Sequence, residues 1–474
     1  MRSSAAMNWA KELLPIVILL GVILVVLRRL PRVDLGHSPA YLRRRFQNWF
    51  PVGMTYAFLY MGRYNLKACE GLLFNKQQFS TIYFWGTLTY GFSFLLNGPL
   101  TDRLGGRATI IIAALGALAA NIAMGVLAMT HIPSAAVGAG IPVPEREGLV
   151  GVFAALYAVN MYFQSFGAVS IVKLNAPWFH LRERGTFGGI FGILISLGLY
   201  FAFDWSKMIR NALPVPWVFF IPAAILGVFA VADFFLVRDT PSLAGHKDFD
   251  LGDATEPDKG RPDPVFEVAA KMFRNPVILT IAVIEFCSGY LRNAIMQYYP
   301  SYARETHAGS FVMEHWGMLL CVAGISGGVV AGVISDRIFH SRRGPVSAVL
   351  YGVMILGSLL MFPALGTPAI GWTVVIMSLA IIGVHGMLSG TASMDFGGKR
   401  NTGVAVGLID GFVYLGTAAE ALVLKAVLPK DAVAHAPANW WTWPAAILPL
   451  AVLGFVLALR VWHATPQRAS AASH

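Results

Sequence analysis

The sequence predicts an all-α membrane protein built as two six-helix bundles behind one extra N-terminal transmembrane helix. Three observations predict it. Hydrophobic residues make up 56% of the 474 and charged residues only 13%, against about 25% charged in soluble domains, and the mean hydropathy is +0.62. Apolar runs near the ~20 residues that a crossing helix needs recur along the whole chain. Runs such as ATIIIAALGALAANIAMGVLAM are continuously apolar, whereas a β-barrel alternates in segments of about 10 residues. Finally, the basic residues fall in short clusters at alternate gaps between runs, the pattern that controls topology.

The first run, Leu13 to Leu27, is followed at once by Arg28, Arg29 and Arg32, then by Arg43, Arg44 and Arg45. A cleavable signal peptide has the opposite order, with charge first and a small-residue site afterwards. Residues 1–46 therefore read as an uncleaved helix, N-terminus outside, with a basic cytoplasmic flank. Six runs follow at 48–68, 81–100, 107–130, 149–173, 186–206 and 215–236, giving a first bundle over 47–237. Residues 238–276 are rich in Pro, Gly and charge and read as a cytoplasmic linker. A second set at 277–300, 314–334, 345–362, 371–392, 402–424 and 442–463 gives a second bundle over 277–464, before a short tail at 465–474. Thirteen spanning helices are expected. With the segment before Asn48 inside, Arg103, Arg107, Arg182, Arg184, the linker, Arg342, Arg343, Lys399 and Arg400 all fall inside too. The C-terminus is then cytoplasmic and the expected location is the inner (plasma) membrane, multi-pass.

The two sets echo each other. GPLTDRLGGR (98–107) follows the second helix of the first set and GVISDRIFHSRRG (332–344) the second helix of the second. Arg63 in YMGRYNL and Arg292 in SGYLRNAIMQYYP lie deep in the first helix of each set. A parallel repeat of this kind suits a transporter with a central site between two bundles. An arginine at bilayer depth costs at least ~2.5–3.5 kcal/mol, so it should face a cavity and a partner. Its planar fork suits a phosphate or carboxylate. The alternative is that each arginine pairs with a buried acid, for which Glu285 and Asp410 are available. Tyr56 and Tyr60 precede Arg63 by one to two turns, and Tyr90 and Tyr414 lie in the second and eleventh core helices. All four are candidates to line a substrate site, as phenols that donate to an oxygen while packing against apolar walls. Asp102, Arg103, Gly105, Gly106 and Arg107, with Asp336 and Arg337 in the weaker copy, read as a gating corner. Gly98 and Gly332 are expected to permit close helix approach.

These residues resemble a known family. The Asp-Arg-x-Gly-Gly-Arg loop resembles the signature of the major facilitator superfamily, and the chain is similar to its organophosphate:phosphate antiporters. YAFLYMGRYNL, TYGFSFLLNGPLTDR, FQSFG, WFHLRERG, VRDTP, LRNAIMQYYPSY and GVAVGLIDGFVYLG carry the resemblance over about residues 46–464. It implies the major facilitator fold around a central cavity, alternating access, and exchange of a phosphorylated organic anion, such as a sugar phosphate, for inorganic phosphate. Arg63 and Arg292 match the family's phosphoryl clamp, Tyr56, Tyr60, Tyr90 and Tyr414 its substrate-facing tyrosines, and Asn65 the asparagine after the first arginine. Departures are Tyr64, Phe94, Ile195 and Cys321 where glycerol-3-phosphate transporters carry lysine, lysine, histidine and an acid, and Lys173 in place of an arginine. The extra N-terminal helix is a further departure.

Other functions are constrained. The alternatives are a carrier of a non-phosphorylated organic anion, proton-coupled through Asp410 or Glu285, and a membrane sensor of sugar phosphates. No His-Glu-x-x-His, Gly-x-Ser-x-Gly or phosphate-cradling glycine loop occurs, so an enzyme is not expected. The net charge of +11 lies in topology clusters and does not indicate nucleic acid. Cys69, Cys287 and Cys321 have no metal-ligand spacing; neither metal, cofactor nor disulfide is expected. The expected partners are the bilayer, the phosphorylated anion and inorganic phosphate, with the chain a monomer.

Overall fold

The computed structural model describes residues 15–26, 28, 35–131, 147–180, 183–248, 270, 274–308, 310–339, 342–388 and 393–463, with the side chains of 147, 184–189, 191, 336 and 393–406 outside the description. Twelve long helices follow in order: α1 Pro39–Tyr64, α2 Lys76–Leu104, α3 Gly106–His131, α4 Glu147–Asn175, α5 Arg184–Tyr200 and α6 Trp217–Leu236 make the first half. The second half is α7 Pro276–Met296, α8 Trp316–Val333, α9 Arg343–Ala364, α10 Ala369–His385, α11 Ser393–Val427 and α12 Thr442–Arg460. Helix α5 runs on through a π-turn, Phe201–Trp205, into Ser206–Ala212, and α7 is prolonged by Tyr298–Glu305.

Local chemistry sets the starts. The Ser38 hydroxyl accepts from Tyr41 N at 3.2 Å ahead of α1, and Asn75 and Gln78 form a capping box ahead of α2. Asn275 caps α7 with Pro276 as its first residue. Between α2 and α3 the chain turns on Gly105, whose φ of +85° lies in the region that side chains avoid.

Among the described residues ten helices are long and apolar enough to cross a membrane. The helices α1 and α2 fall outside that set although they have 26 and 29 residues, because they carry polar residues that face inward, among them Tyr56, Tyr60, Arg63, Thr87, Tyr90 and Asn97. Where the extra N-terminal span is expected, a helix runs over Pro15–Val26, shorter than the ~20 residues of a crossing; residues 1–14, 27 and 29–34, most of the 238–276 linker and the 465–474 tail lie outside the described residues.

Packing repeats with a shift of six helices. In the first half α1 packs on α4, α5 and α6, α2 on α4, and α3 on α4 and α6; in the second α7 packs on α10, α11 and α12, α8 on α10, and α9 on α10 and α12. Across the halves α2 meets α11 and α5 meets α8, a pair that the same shift interchanges. The tightest approach inside a half is α7 on α11, where a side chain at Gly289 would strike Val413 O and one at Gly416 would strike Phe286 O.

At the end where α1 leads into α2 the halves are tied by ions. Glu70 accepts from Arg304 Nη2 at 2.5 Å and from Ser301 Oγ at 2.8 Å, and it also pairs with Lys67. Lys67 Nζ itself reaches Ser301 Oγ at 2.7 Å. Lys76 pairs with Glu305 at 2.5 Å and lies over the Trp440 ring. Asp204, in the π-turn of α5, accepts from the backbone N–H of Gly317 and Met318 at 2.8 Å each, so the first turn of α8 is capped from the other half.

Candidate functional site

The end of α1 is fixed by side chains that take its last carbonyls. Asn160 and Asn121 donate to Gly62 O at 3.0 and 3.1 Å, and the Tyr157 hydroxyl donates to Arg63 O at 3.0 Å. That bracing holds Arg63 at one place in the middle of the protein. Tyr56, Tyr60 and Arg63, at i, i+4 and i+7, share one face.

Arg63 is wholly buried, at 0% exposure, and every hydrogen-bond partner of its guanidinium is neutral. Its Nε donates to Gln164 Oε1 at 2.9 Å, Nη1 to the Tyr414 hydroxyl at 2.6 Å and Nη2 to the Tyr90 hydroxyl at 3.0 Å. The faces of Tyr90 and Tyr60 lie 4.4 and 4.7 Å from its central carbon, a favourable cation–π distance. Tyr56 meets Tyr60 edge-on with ring centroids 5.3 Å apart. From the other half, Arg292 stands over the ring of Tyr414 at 5.7 Å. Tyr414 thus serves both arginines, one through its hydroxyl and the other through its face.

The ion-pair alternative does not hold for either arginine among the described residues. Glu285 lies 2.9 Å from His385 Nδ1, Glu420 accepts from Asn293, and Asp233 accepts from Thr55 Oγ1 at 2.6 Å. Asp410 stands one turn before Tyr414 on α11, half-buried, and forms no ion pair with Arg292. Two guanidinium groups therefore meet around a cage of phenols without a carboxylate on either, an arrangement able to receive an anion with bidentate geometry.

Some sequence expectations are redirected. The Asn65 amide is spent on Asn121 Oδ1 at 2.8 Å and Val218 O at 3.0 Å, so it braces α1 against α3 and α6 instead of joining Arg63. In the Asp-Arg corner, Asp102 pairs with Lys173 at 2.6 Å and Arg107 N donates to Asp239 Oδ1 at 3.0 Å. Arg103 is exposed, and Gly106 brings α3 against Leu174. Lys173 belongs to the first half and Asp239 to the start of the linker, and the described residues show no cross-bundle pair at this corner. Gly98 and Gly332 do not make close helix contacts: a side chain at either would meet open space. Arg337 is exposed, and the side chain of Asp336 is outside the description. Gln164, Tyr157 and His385 are supporting residues that sequence reading passes over. Of these, Gln164 had one signal, a buried amide in the polar stretch FQSFG of an otherwise apolar helix.

Comparison with known proteins agrees with this architecture. The family model described as Major Facilitator Superfamily matches residues 15–419. The glycerol-3-phosphate transporter of Bacillus subtilis (strain 168) is 26% identical over 411 residues, covering 81% of this chain and 86% of the relative. A probable hexose phosphate transport protein of Chlamydia trachomatis is 24% identical over 481 residues, covering 92% and 96%. The resemblance to organophosphate transporters read from the sequence is thereby borne out. The crystal structure of a D-xylose-proton symporter shares the fold with a TM-score of 0.65 at 14% identity, covering 89% of this chain and 98% of that one.

Proposed function

Because the chain belongs to the Major Facilitator Superfamily, we propose that it is a secondary transporter that exchanges a small phosphorylated organic anion for inorganic phosphate by alternating access. The observation that carries the reading is Arg63, fully buried with only Gln164, Tyr90 and Tyr414 on its guanidinium. A buried charge without a counter-ion is expensive, and an anionic ligand supplies the missing charge. A phosphoryl group offers enough oxygens for two guanidinium forks, which a monocarboxylate does not. Arg63 and Arg292 belong to opposite halves, so a ligand held by both draws the halves together, and only such differential binding shifts a two-state balance. With the N-terminus outside and the C-terminus cytoplasmic, the Glu70–Arg304 end faces the exterior and the conformation is closed to that side. The relatives' names, glycerol-3-phosphate and hexose phosphate, support a three- to six-carbon phosphate ester as cargo.

The test is counterflow in proteoliposomes with labelled phosphate inside and sugar phosphates outside. Arg63→Lys and Arg292→Lys are each expected to abolish or severely reduce exchange, since lysine keeps the charge and loses the fork. If both variants fold, reach the membrane and exchange phosphate at near-normal rates, the clamp is wrong and a non-phosphorylated organic anion replaces it as cargo.

A further inference from the structure

Arg292 has an acid–base pair two turns away on its own helix face. Glu285 precedes it by seven residues, about 10 Å along α7, and is wholly buried. One carboxylate oxygen lies 2.9 Å from His385 Nδ1, and the other, Oε1, has no hydrogen-bond partner. His385 is the last residue of α10, at the end of the bundle away from the Glu70–Arg304 tie, and its side chain is 26% exposed. A buried carboxylate is thus joined by one imidazole to a partly exposed position at that end of the protein. Imidazole is the side chain whose charge ordinarily changes near neutral pH.

Among the described residues few other charges surround the pair. Asp410 faces it from α11, and Arg292 and Cys287 lie along α7 itself. Tyr351 of α9 donates its hydroxyl to Ile284 O at 2.6 Å, and Arg343 at the start of α9 lies against Met387, two residues beyond His385. The only ionic side chain of α12 is Arg460, in its last turn. Neither neighbour on α10 or α12 supplies a second acid to the pair.

We propose that Glu285 and His385 form a proton-binding site whose occupancy sets the affinity of the arginine site for its anion. With one proton the pair is neutral overall; without it, one negative charge remains about 10 Å from Arg292 and opposes an incoming anion. Proton and anion therefore strengthen each other's binding, and by linkage the effect is reciprocal. The proton enters through the imidazole from the cytoplasmic side while the outer end is closed. This deepens the phosphate-exchange reading, since it states what charge accompanies the anion.

Two measurements on the full-length protein test it. The first needs no ligand: in detergent-solubilised protein with labelled histidine, the His385 signal, assigned by its loss in His385→Asn, is followed by NMR. A pH-dependent change in that signal, displaced in Glu285→Gln, is expected. The second is binding of inorganic phosphate to wild type and to the double variant Glu285→Gln/His385→Asn. Phosphate's own titration cancels in the ratio of the two affinities, which is expected to fall roughly tenfold from low to high pH, the size of one charge acting at that distance. A ratio that stays constant, or a His385 signal that does not change with pH, overturns the proposal. If His385 titrates with Glu285 but wild type binds no phosphate, the proton site stands and the phosphate reading falls.

Discussion

Glu70→Gln is expected to loosen the closed end of the protein by a measurable amount. Glu70 is 1% exposed and receives Lys67, Ser301 and Arg304. Lys67 lies in the same half and moves with Glu70, so only the bonds from Ser301 and Arg304 are lost when the halves part. Arg304 is 31% exposed and has Glu305 3.8 Å away, so its charge is not stranded by the substitution. The cost is then that of one charge-assisted hydrogen bond, about 2 kcal/mol. At 1.4 kcal/mol per factor of ten, the open-to-closed ratio rises about 30-fold. Pulsed EPR between spin labels at Leu213 and Val433, exposed residues at this end in opposite halves, reads that ratio once Cys69, Cys287 and Cys321 are replaced. Wild type should give one short distance and the variant an added longer component. Identical distributions would show that the Glu70–Arg304 contact does not hold the halves, and the reasoning would fail.

Two further outcomes follow from the same end of the molecule. Burial alone would raise the Glu70 carboxyl, but Lys67 and Arg304 beside it hold it down to about 2. A depressed carboxylate contributes fully above its ordinary value of about 4.3 and is lost only as pH falls through the folded value, so the longer component that Glu70→Gln adds to the Leu213–Val433 distances should be as large at about pH 5 as at about pH 7; an effect of the substitution that vanishes by about pH 5 would refute it. Asp204→Ala removes the cap that α5 supplies to Gly317 and Met318 and should cost about 1–2 kcal/mol of the closed state, seen as a second long component in the same label pair, whereas an unaltered trace would mean that solvent satisfies the two N–H groups equally well.

The helices and the two arginines were legible because hydropathy and single-helix geometry are properties of short stretches. Tyr60 and Arg63 share a face by spacing alone, and Arg63 and Arg292 stand out because charge is rare in apolar runs. Gln164 was not legible as Arg63's partner, since nothing in its own helix says which neighbour it meets. His385 lies inside the run read as 371–392, and only the packing of α10 on α7 gives it Glu285. Glu70, Arg304 and Asp204 lie at the ends of helices, where charge is ordinary, so their pairing across 234 residues and 113 residues is a tertiary fact. Asn65 shows the converse: it lies two residues after Arg63 in sequence, yet its amide donates to Asn121 of α3 and Val218 of α6.

Tyr414 has a consequence for how long cargo stays bound. Its hydroxyl already sits on Arg63 Nη1 at 2.6 Å, with Tyr90 on Nη2 at 3.0 Å. In the proposed transporter an arriving anion competes with these phenols for the guanidinium, so part of its gain is the difference between two hydrogen bonds and not the whole of the new one. Charge-assisted bonds are about twice as strong as neutral ones, which leaves a gain large enough for recognition but well short of a trap. On departure the phenols return, and the arginine is never left bare in a dry interior. A cage of this kind caps residence time, and a carrier's usefulness is measured by release as much as by capture.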